Sequence, residues 1–124
     1  MICNSQYNKA MELKNRFEEG CVIIDLEDDS FGYPKTMVLK SHAFKLIAEG
    51  HHRLVLNLGK VKMLDSFGIA VIISILKTCK EQKGNLTLFG LNDQVMRLME
   101  LTHMDRVLDI WETETQAVRQ VTDG

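Results

Sequence analysis

Asp-Ser-Phe-Gly occurs twice in this chain of 124 residues, at 29–32 and at 65–68. The second copy follows an extended apolar segment and opens an apolar helix, so it places the hydroxyl of Ser66 at a helix N-terminus. There the first backbone N–H groups lack partners and the helix dipole is positive. Two roles are open to such a hydroxyl: it can cap the helix, or it can accept a phosphate, which that environment tolerates well. The first copy runs into Tyr33-Pro34-Lys35-Thr36, a turn, and reads as a chance repeat that leaves Ser30 as a helix cap or a decoy for Ser66. Flanking structure decides what a short motif means.

The other reactive side chains form no recognisable constellation. His42, His51, His52 and His103 include no pair at helical i, i+4 spacing beside a carboxylate, and a metal site needs three or four converging ligands. Cys3, Cys21 and Cys79 are isolated and odd in number, which suits small apolar residues in a reducing compartment. There is no Gly-x-Ser-x-Gly elbow, no phosphate-binding Gly-x-x-x-x-Gly-Lys loop and no Gly-x-Gly-x-x-Gly. No catalytic residue, metal or cofactor is expected. Asp28, Asp29 and Asp65 offer a rival chemistry, a phospho-aspartate receiver with Mg²⁺ held by carboxylates. Against it, Asp65 stands well beyond Leu58, and no lysine follows the last strand at Ile110-Trp111-Glu112.

The elements that must position Ser66 follow from periodicity. Met11, Leu13, Asn15 and Phe17 alternate with charged residues, a strand pattern, and Glu18-Glu19-Gly20 turns the chain into a second strand, Cys21–Leu26. Residues 27–33 are acidic and turn-prone. Pro34 suits a first helical position. Met37, Phe44, Ile47 and Ala48 then share a helical stripe that stops at Gly50. Residues 53–58 are almost wholly apolar, as a buried central strand requires. After Ser66, Ile69, Ile72, Ile73 and Leu76 keep helical spacing, and Ala70, Val71 and Ile75 widen the apolar arc. Residues 86–89 form a strand. Asn92 or Asp93 caps a helix with Val95, Leu98, Met99 and Thr102 inward; 106–111 is a last strand. Thr113 and Gln116 have capping-box spacing ahead of a helix burying Ala117, Val118 and Val121. Met96, Met99 and Met104 read mainly as core filler. The order is ββαβαβαβα, an α/β domain whose last three strands should be parallel. One domain is expected over 1–124, with its core at about 11–122.

Composition narrows the partners. Net charge is −2 and the basic residues are scattered, which argues against nucleic acid and anionic membranes. The first ten residues have no apolar stretch of signal-peptide type. The longest apolar run, 69–76, is broken by Ser74 and is far shorter than the ~20 residues a bilayer needs. A soluble, cytoplasmic protein is expected.

The run Leu54-Val55-Leu56-Asn57-Leu58, the short loop after it and Asp65-Ser66-Phe67-Gly68-Ile69 resemble the STAS domain, in particular the anti-sigma factor antagonists. That family carries an apolar strand ending in Asp-Leu or Asn-Leu, a loop, then Asp-Ser-Ser/Thr/Ala-Gly-Leu. Leu98-Met99-Glu100-Leu101-Thr102-His103-Met104-Asp105-Arg106-Val107 is similar to the family's corner before its last strand. The likeness spans about 11–122 and is most specific over 54–111. It implies an α/β STAS-type fold: a small, mainly parallel sheet with an antiparallel N-terminal strand and about four helices.

The resemblance also implies a function. In the family, the serine after the aspartate, here Ser66, is phosphorylated by an anti-sigma factor or related serine kinase and restored by a serine phosphatase. The unmodified antagonist binds the anti-sigma factor and frees a sigma factor for transcription; the phosphorylated form lets go. Asp65, Phe67 and Gly68 would surround the switch, and Asp28 and Asp29 would join Glu27 along an acidic edge. A phosphate there adds repulsion toward a partner. Other STAS domains serve unphosphorylated in sensing or transport complexes. This chain departs from the pattern twice. Phe67 replaces a small residue, and is either an exposed anchor or folded back on the helix; either way it favours a dedicated partner. Leu26-Glu27-Asp28-Asp29-Ser30-Phe31-Gly32 replaces the usual Gly-x-aliphatic-Asp of the partner-facing loop.

Overall fold

The computed structural model describes residues 12–123; Met11 of the first strand pattern, Cys3 and the N-terminal decapeptide lie outside the described residues. Strand β1 (Leu13–Glu18) turns through Gly20, whose φ of +89° favours glycine, into β2 (Cys21–Leu26). The two pair antiparallel, with Glu18 opposite Cys21. Strands β4 (Arg53–Asn57), β6 (Asn85–Phe89) and β7 (Asp109–Trp111) then add in parallel, giving the sheet order β1-β2-β4-β6-β7. Helices α1 (Lys35–Ala48), α2 (Ser66–Glu81), α3 (Asp93–Leu101) and α4 (Glu114–Asp123) complete the fold.

The central strands are buried on both faces, which is why they read as apolar runs rather than alternating patterns. Val22, Ile24, Leu26, Leu54, Leu56, Leu86 and Leu88 face the larger core with α1, α2 and α3. Cys21, Ile23, Val55 and Phe89 face the opposite side, where Ala117 and Val121 of α4 cover them. Thr87, fully buried on that side, donates its hydroxyl hydrogen to the Ala117 carbonyl at 2.9 Å and so loses nothing by burial.

Local signals place the helix ends. Asn92 caps α3, its side chain accepting from Val95 N–H at 2.7 Å. Thr113 and Gln116 form a reciprocal capping box ahead of α4. Gly50, at φ +103°, follows the end of α1.

Four details depart from the sequence reading. Within 27–33, read as a loop, Ser30–Phe31 forms β3, which pairs in parallel with a second two-residue strand, β5 (Met63–Leu64). Helix α1 begins after Pro34, which sits at the cap position, and buries Thr36, Leu39, Ala43, Leu46 and Ile47, leaving Met37 and Ala48 exposed. The inward face is set by docking on the sheet and differs from the stripe read from spacing. In α3, Val95 and Met99 are buried while Thr102 is exposed, closing the helix through bonds to Leu98 and Met99 carbonyls. The last strand is three residues long, because a 3₁₀ turn at Met104–Arg106, entered through left-handed His103, uses the residues before it.

Cys21 and Cys79 are free and buried, and burial pushes the Cys79 thiol up to about 12. Both are expected to resist a thiol reagent at pH 8 in the native protein and to react at once in denaturant. Labelling of either at the rate of an unfolded thiol would contradict their placement.

Candidate functional site

The chain leaves β4 at the carboxyl end of the parallel sheet. Asn57 turns it by accepting Gly59 N–H at 2.9 Å, and Leu58 is anchored through its N–H on the Phe89 carbonyl at 3.0 Å. The next residues run beside the 27–33 segment. The Asp29 carbonyl accepts from Lys62 N–H at 2.6 Å and from Met63 N–H at 3.2 Å, and the Phe31 carbonyl accepts from Asp65 N–H at 3.4 Å. The β3–β5 ribbon therefore delivers the chain to the start of α2.

Asp65, not Ser66, is the N-cap of α2. Its backbone is extended and its Oδ1 accepts Gly68 N–H at 2.9 Å. Ser66 is the first helical residue and is exposed. The cap is thus filled by the neighbouring carboxylate, and the serine hydroxyl is left at the surface of the helix start. Gly68 is buried: a Cβ there would lie 2.5 Å from Leu64 Cδ1 and 2.9 Å from the Phe31 carbonyl oxygen.

The first Asp-Ser-Phe-Gly copy therefore has a structural role that its flanking turn did not reveal. Phe31 is 1% exposed and packs where Gly68 leaves room, and Gly32 lies against the Asp65 carboxylate. Ser30 is half-buried and does not cap α1; its hydroxyl accepts from Lys35 Nζ at 3.0 Å.

Phe67 does not fold into the core. It is 59% exposed, and its ring meets that of Tyr33, 67% exposed, at a centroid separation of 5.9 Å and a tilt of 50°. The expected acidic edge is partly neutralised. Lys35 pairs with Asp28 at 3.0 Å and Lys60 with Glu27 at 3.0 Å. The Lys35 hydrogen bond holds the Asp28 carboxyl below its ordinary value. Asp29 and Asp65 remain exposed. Of the sequence candidates, Asp65, Phe67 and Gly68 flank Ser66 directly, while Asp28 turns to Lys35.

A STAS domain family model matches residues 12–117. The chain belongs to the STAS domain family. The anti-sigma-B factor antagonist of Listeria monocytogenes is 29% identical over 108 residues, covering 86% of this chain and 92% of that protein. The crystal structure of the Thermotoga maritima protein TM1081 matches with a TM-score of 0.78 at 25% identity, covering 88% of this chain and 93% of the other. The phosphorylated form of the Bacillus cell fate determinant SpoIIAA shares the fold at 15% identity, with a TM-score of 0.64 over 90% of this chain and 98% of the other.

One polar cluster in this STAS domain was not singled out from sequence. Asp25, 7% exposed on β2, accepts from Arg16 at 2.7 and 2.9 Å and from Asn57 Nδ2 at 2.7 Å. Arg16 also reaches Glu114 at the start of α4, at 2.6 Å. Asn57 in turn fixes the loop toward Ser66, so the network ties α4, β1 and β2 to the strand that feeds the site. Burial acts to raise the Asp25 carboxyl, but hydrogen bonds from Arg16 and Asn57 and the Arg16 charge outweigh it and hold the group below its usual range. The sign follows: a carboxylate depressed in the folded state adds stability above the unfolded value of 3.8 and loses it as the pH falls through the folded one. Asp25→Asn is expected to cost about 1 kcal/mol at pH 7, with the variant and parent denaturation curves converging below pH 3.8. A difference that persists undiminished in acid would refute this role.

In this STAS domain His42, half-buried, bonds through Nε2 to Asn15 Oδ1 at 2.7 Å, and His51 lies 5.5 Å from the Phe17 ring. Among the described residues no group of three His, Cys, Asp or Glu could hold a metal ion, and no helix is long and apolar enough to cross a membrane.

Proposed function

We propose that this protein is an anti-sigma factor antagonist: a cytoplasmic protein-binding switch, not an enzyme, controlled by phosphorylation of Ser66. An anti-sigma factor or related serine kinase is its partner, and a serine phosphatase reverses the modification. The supporting observation is the exposed Ser66 hydroxyl at the first position of α2, with the helix cap already supplied by Asp65. Family membership and the names of the relatives point the same way.

The physics fits a switch that acts at an interface. Phosphate adds roughly −1.5 to −2 charge. The helix start favours that charge by about 0.3–1 kcal/mol, while exposed Asp65 next to it opposes it, so the fold changes little in stability. A partner surface that covers Ser66 must instead desolvate the dianion, which is expensive without a new basic group.

Phosphopeptide mass spectrometry of the chain isolated from its own cells tests the site. Acid-stable phosphate on the peptide carrying Ser66 is expected. Phosphate on Ser30 alone, on neither serine, or an acid-labile phosphate on an aspartate would contradict the reading.

A further inference from the structure

Seven large apolar side chains are exposed among the described residues, and three of them lie together: Tyr33 meets Phe67, and Tyr33 and Met63 line one hollow. Apolar side chains scattered singly over a surface need no explanation, but a cluster marks a contact surface. Two of these are already in contact, the Tyr33 and Phe67 rings, which together present one continuous aromatic surface. Beside them lies a hollow of about 220 Å³. Tyr33, Phe31, Met63 and Leu64 supply its apolar lining, and Ser30, Lys35 and Asp65 its polar groups.

We propose that Tyr33 and Phe67 act together as the specificity anchor of the Ser66 face, so that a protein docks on unmodified Ser66 only if it offers one apolar hollow wide enough for both rings. The proposal rests on the switch reading above and names what the partner must present. Phe67 follows Ser66 directly in α2, so burying the ring pair carries the serine hydroxyl to the edge of a dry contact. A phosphate dianion there would have to shed its water beside apolar rings that offer it no counter-charge, which couples modification to release. A partner shaped for a small residue after the serine meets two contacting rings instead and is refused. Tyr33 is the specificity residue that the sequence alone does not reveal, because it reaches Phe67 only through the ribbon.

The test uses calorimetry, with the protein that Ser66→Ala retains and Ser66→Asp releases as the titrant. Tyr33→Ala and Phe67→Ala are each expected to weaken its binding by about tenfold or more. The double variant should lose less than the product of the two, because each ring supports the other. Tyr33→Phe, which keeps the ring, should bind within about twofold of the parent. Because both side chains are mostly exposed, the thermal midpoints should be unchanged, which separates docking from folding. Parent-like binding by Tyr33→Ala, or losses that multiply in the double variant, would overturn the anchor while leaving the switch standing. If no protein distinguishes Ser66→Ala from Ser66→Asp, the switch reading fails and this proposal fails with it.

Discussion

Ser66→Asp is expected to bind the partner about a hundredfold more weakly than Ser66→Ala, a difference of about 2.8 kcal/mol. The parent, when unphosphorylated, should bind like Ser66→Ala. Location decides the effect. Ser66 is exposed and Asp65 already satisfies Gly68 N–H, so removing the hydroxyl takes nothing from the helix cap. A carboxylate at the same point gains at most about 1 kcal/mol from the helix dipole, and part of that is cancelled by Asp65. Neither substitution should shift the thermal midpoint much. The binding difference therefore reports on the interface alone, where an added charge must shed its water. Pull-down of the two variants side by side measures it. Equal retention would show that charge at this position controls nothing.

Gly68→Ala carries the second large effect. On helix propensity alone the change should help, by about 1 kcal/mol. The packing decides otherwise. A Cβ at Gly68 would stand 2.5 Å from Leu64 Cδ1 and 2.9 Å from the Phe31 carbonyl. Leu64 can rotate, but the Phe31 backbone belongs to β3 and is tied to Asp65 N–H. Overpacking of this kind costs about 1–3 kcal/mol, and the propensity gain offsets only part of it. A net loss of about 1 kcal/mol is expected, visible as a fall of roughly 3–5 °C in the thermal midpoint. Partner affinity should fall as well, since relief of the clash moves the ribbon that holds Tyr33 beside Phe67. A midpoint raised by the substitution would mean that α2 does not approach β3 as closely as described. Ser66→Ala, exposed and two residues before Gly68, is the control.

What could be read in the sequence was what repeats or runs. The apolar runs at 21–26, 53–58 and 86–89 marked strands, the second of them as a buried central one, and Asn92 and the Thr113–Gln116 pair marked helix starts. The approach to Ser66 was legible because Asp65 and Gly68 are residues that a strand-to-helix turn demands. The β3–β5 ribbon was not, since two residues cannot display a period of two. Its pairing rests on the backbone groups of Asp29, Phe31 and Asp65, which carry no side-chain signature. The chance resemblance assigned to the first Asp-Ser-Phe-Gly copy failed for the same reason: Phe31 meets Gly68 only once the ribbon exists. Asp25 was hidden as a single carboxylate in an apolar run. Its partners converge only in the fold: Arg16 lies 9 residues away across the hairpin, Asn57 lies 32 away, and Arg16 reaches on to Glu114 across 98. The acidic edge drawn from 27–29 ignored Lys35 and Lys60, which the fold brings in to pair with Asp28 and Glu27.

The proposed switch is a single surface hydroxyl whose modification breaks an interface and spares the fold. Calorimetric titration of one partner with the unmodified chain, and with the same chain carrying phosphoserine quantitatively at position 66, addresses that directly. The expected result is tight binding by the first, loss of about two orders of magnitude or more by the second, and coincident unfolding midpoints for both. Equal affinities, or a phosphorylated chain that has lost its fold, would contradict it.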